Sequence, residues 1–177
     1  MKIKDKNFDL YISSQKIKKK VKELAKQINQ DYNGKHLLFI SILNGSYVFT
    51  ADLLREIDLS CEVSFIKISS YSKMESTGNL QELIGLNENI FQRDVILIED
   101  IIDSGKTMEN LLDKMQSLGP NSVEVATLLM KPEAIDTGLN IKYIGFEIPQ
   151  EFVIGYGLDY DGAGRNLKDI YQFKEKL

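Results

Sequence analysis

The sequence predicts an α/β fold, with a mostly parallel central sheet covered by helices on both faces. Three observations carry this. The runs Leu37–Ile42 and Val95–Ile98 are wholly or almost wholly apolar, as strands buried on both faces must be. Stretches with apolar residues at three- and four-residue intervals alternate with such runs along the chain. Finally, Val95 to Met108 passes from a strand through three acids and a small-residue turn into a helical pattern that starts at Thr107. In open α/β sheets that junction is where ligands bind.

The elements follow in order. Asp9 to Ile12 is a short extended segment, and Ser13 or Ser14 can cap the helix after it. Ile17, Val21, Leu24 and Ile28 form that helix's apolar stripe, and Asn33-Gly34 ends it. The flanking lysines, Lys16, Lys18, Lys19, Lys20 and Lys22, read as a solvated face rather than a polyanion site. Leu37–Ile42 is a central strand, and Asn44-Gly45-Ser46 a tight turn. Tyr47, Phe49, Ala51, Leu53, Leu54 and Ile57 mark a second helix packed on the sheet. Val63–Ile68 alternates with period two and is a strand. From Ser69 to Leu80 the pattern breaks for about ten residues, long for a connection inside a compact domain. Glu82–Gly85 is a candidate strand. After the helix carrying Leu111, Leu112, Met115 and Leu118, stopped by Gly119-Pro120, come strands at Ser122–Met130, Ile141–Ile148 and Phe152–Ile154. The tail ends in a short strand or helix.

Composition narrows the function. A chain of 177 residues can bury a real core in one domain. A net charge of −4 calls for neither a nucleic-acid nor a membrane partner. Cys61 is alone and cannot form an internal disulfide, which fits a reducing cytoplasm. The polar stretch Met1 to Asp9 is not a signal peptide, and no apolar run approaches the ~18–20 residues that span a bilayer.

Several site types are excluded by particular residues. Gly105-Lys106-Thr107 looks like the end of a triphosphate-binding loop, but that motif needs a glycine where Asp100 stands. Gly155-x-Gly157 and Gly162-x-Gly164 are fragments of a dinucleotide fingerprint; each lacks the third glycine and neither follows a first strand. With one histidine, His36, and one cysteine there is no His/Cys metal cluster, and a Ser-His-Asp hydrolase is not expected; His36 is expected at a strand edge, without chemistry. The paired acids Glu99 and Asp100 suit sugar hydroxyls or a divalent metal, and the helix start suits an anion. One ligand with phosphate, sugar and metal satisfies every part.

Val95 to Thr107 resembles the phosphoribosyl-diphosphate signature of the type I phosphoribosyltransferases: an apolar strand, two acids, two apolar residues, then Asp-Ser-Gly-Lys-Thr. Leu43–Leu54, Tyr71–Gly78, Leu128–Lys131 and Gly145–Leu167 extend the likeness over most of the chain. The last two segments select the branch that acts on hypoxanthine and guanine. The resemblance implies one domain over residues 1–177, with a small hood built from the termini. It also implies a lid at about 70–80, including Ser70 and Tyr71, that closes over the reacting centre and keeps out water.

The implied reaction is magnesium-dependent (Mg2+) displacement of pyrophosphate from C1′ of 5-phosphoribosyl 1-diphosphate by hypoxanthine or guanine, giving IMP or GMP. Asp103, Ser104, Gly105, Lys106 and Thr107 would bind the 5′-phosphate. Glu99 and Asp100 would hold the ribose hydroxyls directly or through the metal. Both acids reach one ribose only if their strand ends there, because neighbours on a strand face opposite ways. Asp103 would serve as general base toward the purine N7, or else as a plain helix cap. Lys131 would meet the 6-oxo group and so disfavour adenine, whose 6-amino group is a donor. Phe152 would stack on the base and the Val153 backbone would read its edge. Asp159 would serve a second Mg2+ or the guanine 2-amino group. Arg165, with its forked guanidinium, would clamp pyrophosphate together with Asn44-Gly45, the family's loop with a cis non-proline peptide.

The chain departs from the family pattern at two places. Asn44 stands where lysine is usual, and Asp161-Gly162-Ala163-Gly164 replaces a bulkier, more charged segment. The family habit implies a homodimer or homotetramer. Two other readings compete: an enzyme preferring xanthine and guanine, and a regulatory protein that senses phosphoribosyl diphosphate. A DNA-binding regulator should carry an additional helical domain, and an RNA-binding one a basic face; neither is expected from this chain.

Overall fold

The structure, a computed structural model, describes residues 1–69, 81–135 and 138–174. The expected lid, with Ser70 and Tyr71, lies outside the described residues.

Among the described residues the chain forms two sheets. The larger has the order β5-β4-β3-β6-β7-β8, built from Gln81–Ile84, Cys61–Ser69, Leu37–Leu43, Asp94–Ile102, Ser122–Met130 and Tyr143–Glu147. Strands β4, β3, β6, β7 and β8 run parallel, and β5 is antiparallel to β4. Helix α1 (Ser14–Asp31) starts from Ser13, whose hydroxyl accepts from the Lys16 amide, and buries Ile17, Val21, Leu24, Ala25 and Ile28. Together with α2 (Tyr47–Leu54) it covers one face of the sheet over Leu37, Phe39, Ile96, Ile98, Ala126 and Leu128. Helix α3 (Lys106–Ser117) covers the other through Met108, Leu111 and Met115, against Leu38, Ile40, Val95 and Leu97. Alternate residues of β3 and β6 thus enter opposite cores, which is why these strands read as continuous apolar runs.

The smaller sheet is antiparallel, in the order β1-β2-β10-β9: Lys2–Ile3, Lys6–Ile12, Ile170–Lys174 and Val153–Ile154. This is the hood from the termini. Its first strands begin before the segment expected from sequence: the mostly polar Lys2–Ile3 and Lys6–Asn7 become strand by pairing with each other, and β2 in turn pairs with β10, rather than through a pattern of their own. The undecided tail is strand β10.

The chain order sets the site. From β3 the next parallel strand, β4, lies on one side; from β6 the next, β7, lies on the other. The crevice at the carboxyl ends of β3 and β6 is therefore the topological switch point, where such sheets bind ligands. His36 lies at the opposite ends of these strands, tied to Ser60 and Glu62 at 2.8 Å each.

Candidate active site

The signature strand differs from expectation in one respect. It does not end at the paired acids: β6 runs to Ile102 and stays paired with β7. What ends is its pairing with β3, whose last partners are Ser41 and Ile98. Beyond that point the two strands separate, and the acids stand in the opening. Glu99 lines a cavity of about 200 Å³ with Asp103, Ser104, Gly105 and Thr107. Asp100 turns to the other side, where its carboxylate lies against Gly45; a Cβ on Gly45 would overlap it. Their own backbone is engaged locally, the Asp100 amide donating to Glu99 (3.1 Å) and the Ile101 amide to Asp100 (2.9 Å).

The Asp103–Thr107 turn feeds α3 through Gly105, which takes φ +78, and no side chain caps the helix. Asp103 is therefore no helix cap. The first-turn amides, which lack intrahelical partners, are left for an anion. The Asp103 carboxylate instead forms an ion pair with the Lys131 ammonium. Lys131 follows β7, and its amide donates to the Ile102 carbonyl at 2.9 Å, which fixes it beside the end of β6.

On the β3 side, the Leu43–Asn44 peptide is cis. Gly157, at φ +105, presses against the Gly45 carbonyl so closely that a Cβ would overlap it. Arg165 ties the same place together. Its guanidinium donates to the Gly157 carbonyl (2.7 Å) and pairs with Asp159 (2.5 Å), and its carbonyl accepts from the Gly157 amide (3.0 Å) and the Tyr47 hydroxyl (3.4 Å). Asp159 also accepts from the Gly162 amide at 2.7 Å. The structure thus joins Asp159 to Arg165 rather than leaving each free for a ligand. Gly157 and Tyr47 were not anticipated as parts of the site. Gly155-x-Gly157 was visible only as a failed dinucleotide motif, and a glycine pair outside any helix or strand was its signal.

Phe152 and Val153 lie in the hood. Phe152 is 41% exposed and packs on Phe8 (6.3 Å) and Tyr160 (5.8 Å), with the Lys6 ammonium 5.4 Å from its ring centre. Val153 is buried and pairs with Gln172 of β10. Among the described residues neither has a hydrogen bond or ion pair to Lys131 or Asp103.

Glu99 is electrostatically exceptional. Part of its surface reaches the crevice, yet its carboxyl is enclosed by protein. That burial, reinforced by Asp100 through a hydrogen bond and like charge, holds it well above the ordinary glutamate value of 4.5. A raised acid stabilises the fold only while protonated, so its contribution is present at low pH and is lost as pH rises through the raised value. Glu99→Gln should therefore raise Tm of the metal-free protein at pH 8, each ~1 kcal/mol recovered corresponding to about 2–4 °C. The gain should shrink toward pH 5. Thermal melts across that range check this, and a variant less stable at pH 8 contradicts it.

Similarity to known proteins agrees with this geometry. The Phosphoribosyl transferase domain family matches residues 10–161. The chain belongs to that family, and its sheet order, switch-point crevice and terminal hood are the family's type I fold. Among named relatives, it is 39% identical over 170 residues to the hypoxanthine-guanine phosphoribosyltransferase of Staphylococcus aureus, covering 96% of this chain and 95% of that one. It is 42% identical over 162 residues to the hypoxanthine phosphoribosyltransferase of Buchnera aphidicola, covering 90% and 92%. Among solved structures, a hypoxanthine-guanine phosphoribosyltransferase from Bacillus anthracis superposes with a TM-score of 0.89 at 42% identity, covering 93% of this chain and 97% of that one.

Proposed function

We propose that this chain is a purine-salvage enzyme, which transfers the phosphoribosyl group of 5-phosphoribosyl 1-diphosphate to hypoxanthine and guanine with release of pyrophosphate. The observation that carries this is the Asp103–Lys131 pair beside the open helix start. A 6-oxopurine offers, on one edge, an oxygen acceptor and a ring nitrogen whose proton must leave. An ammonium and a carboxylate held side by side match that edge. Lys131 donates to the 6-oxo group, and Asp103 accepts the N7 proton. Adenine places a donor against Lys131.

The remaining residues bind and orient. The amides and hydroxyls of Ser104 to Thr107 receive the 5′-phosphate. A helix start contributes only ~0.3–1 kcal/mol to such a charge, up to ~2 if partly buried. Rate enhancement needs ~8 kcal/mol or more, so most must come from charge placed where pyrophosphate departs. Arg165 supplies part of it by exchanging Asp159 for pyrophosphate. That exchange frees Asp159 for a metal or the guanine 2-amino group. The Asn44-Gly45 backbone binds the same leaving group, and Phe152 stacks on the base.

The donor set fits magnesium. Asp100 offers a carboxylate beside Gly45, Glu99 would offer a second on losing its proton, and the described residues hold no cluster of three or more ligating side chains. Mg2+ takes one or two carboxylates and completes its shell with water and substrate oxygens. When bound, it neutralises charge on the diphosphate. The family habit supports a homodimer or homotetramer, and the lone Cys61 fits a reducing cytoplasm. No helix among the described residues is long and apolar enough to cross a membrane.

Incubation with phosphoribosyl diphosphate, Mg2+ and single bases tests the reading. IMP from hypoxanthine and GMP from guanine are expected. Nucleotide from neither base overturns it, and strong preference for xanthine would reassign the substrate.

A further inference from the structure

The buried hydroxyls of Ser41, Ser46 and Thr50 form a cluster that the reaction scheme above does not use. Ser41 interrupts the otherwise apolar β3, and all three residues are at most 2% exposed. A hydroxyl buried without a partner is costly, so each should be satisfied. They are. Ser41 Oγ lies 2.7 Å from Ser46 Oγ and 2.7 Å from Thr50 Oγ1, and Ser46 Oγ donates to the Ile42 carbonyl at 2.5 Å.

Proton counting orients the chain. Each hydroxyl has one proton to donate. Ser46 uses its own on Ile42, so the Ser41 proton goes to Ser46 and the Thr50 proton to Ser41. The relay runs Thr50, Ser41, Ser46, Ile42 carbonyl, with every proton used. Ser46 gives up something to take part. It stands at the N-cap of α2, where a serine ordinarily accepts from a helix amide, yet it makes no such bond and reaches back to β3 instead.

The relay spans the Asn44-Gly45 turn from both sides. Ser41 and Ile42 precede that turn on β3, just where pairing with β6 stops; Ser46 and Thr50 follow it on α2. We propose that the Ser41–Ser46–Thr50 relay is a positioning device for phosphoribosyl diphosphate, clamping the end of β3 to the start of α2 so that the Asn44-Gly45 backbone stays set for pyrophosphate. The inference rests on the assignment of that turn in the proposed function. With Asn44 supplying no positive charge, backbone placement carries the binding there, and small displacements weaken it.

The test separates positioning from simple loss of stability. Ser46→Ala and Thr50→Val should raise KM for phosphoribosyl diphosphate about 5- to 30-fold, the size of a lost buried hydrogen bond, with KM for hypoxanthine within about twofold. Thr50→Ser, which restores the hydroxyl, should return KM to near wild type. Ser64→Ala removes a hydrogen-bonded hydroxyl on β4, on a residue 8% exposed and bonded to Glu88 at 2.5 Å, and should lower Tm without moving either KM. Direct binding of phosphoribosyl diphosphate should follow the KM values. A variant KM equal to wild type, an equal rise in both KM values, or no rescue by Thr50→Ser overturns the inference. Absence of nucleotide formation by the wild-type protein overturns the underlying reading instead.

Discussion

Asp103→Asn should lower kcat about 10²–10⁴-fold, the usual contribution of a general base, while binding of phosphoribosyl diphosphate stays within a few-fold. The expectation follows from what surrounds Asp103. It is not tied into the helix as a cap, and its carboxylate faces Lys131 at the mouth of the crevice. An asparagine oxygen can still accept a hydrogen bond, but the amide cannot take up the N7 proton. The 5′-phosphate contacts come from backbone amides and from Ser104 and Thr107, which the change leaves in place. Single-turnover rates with hypoxanthine, beside equilibrium binding of phosphoribosyl diphosphate, separate the two effects. A kcat near wild type would remove Asp103 from the role of base.

Lys131→Gln should cut kcat/KM for hypoxanthine and guanine about 10- to 150-fold, since hydrogen bonds to charged groups contribute ~1.5–3 kcal/mol. Discrimination should fall with it. A glutamine amide can turn either its donor or its acceptor toward position 6, so the variant should gain on adenine what it loses on the 6-oxopurines. The change also leaves Asp103 without its cation. Steady-state kinetics with all three bases measure this. A variant that keeps both its hypoxanthine activity and its selectivity would contradict the pairing of Lys131 with the 6-oxo group.

The parts legible in the sequence were those with local signals. Ser122–Met130 matched its strand end to end, and Ile17, Val21, Leu24 and Ile28 all face the core as their spacing required. The signature was readable because strand, acids, turn and helix start are contiguous. What stayed hidden depends on pairing between distant segments. The polar start of β2, Lys6–Asn7, is strand because Lys2–Ile3 lies beside it. The opening in which Glu99 and Asp100 stand comes from β3 leaving β6 at Ser41, a sheet-level event with no local mark. The Asp159–Arg165 pair and the approach of Gly157 to Gly45 arise from folding the tail back onto the β3 turn. Ser41 carried a local signal, though nothing local names its partners. A lone polar residue inside a buried apolar run signals a satisfied buried hydrogen bond, and its partners proved to be two hydroxyls beyond the following turn.

The central claim is that the Asp103–Lys131 pair reads the 6-oxo and N7 edge of a purine while the Asp103–Thr107 turn holds phosphoribosyl diphosphate. The most direct test is the ratio of kcat/KM for hypoxanthine to that for adenine, measured on the wild-type protein with phosphoribosyl diphosphate and Mg2+. A site built to bond one edge rejects the analogue that mispairs by ~10⁴-fold or more, and a ratio of that order is expected. Comparable turnover of adenine and hypoxanthine would contradict the account.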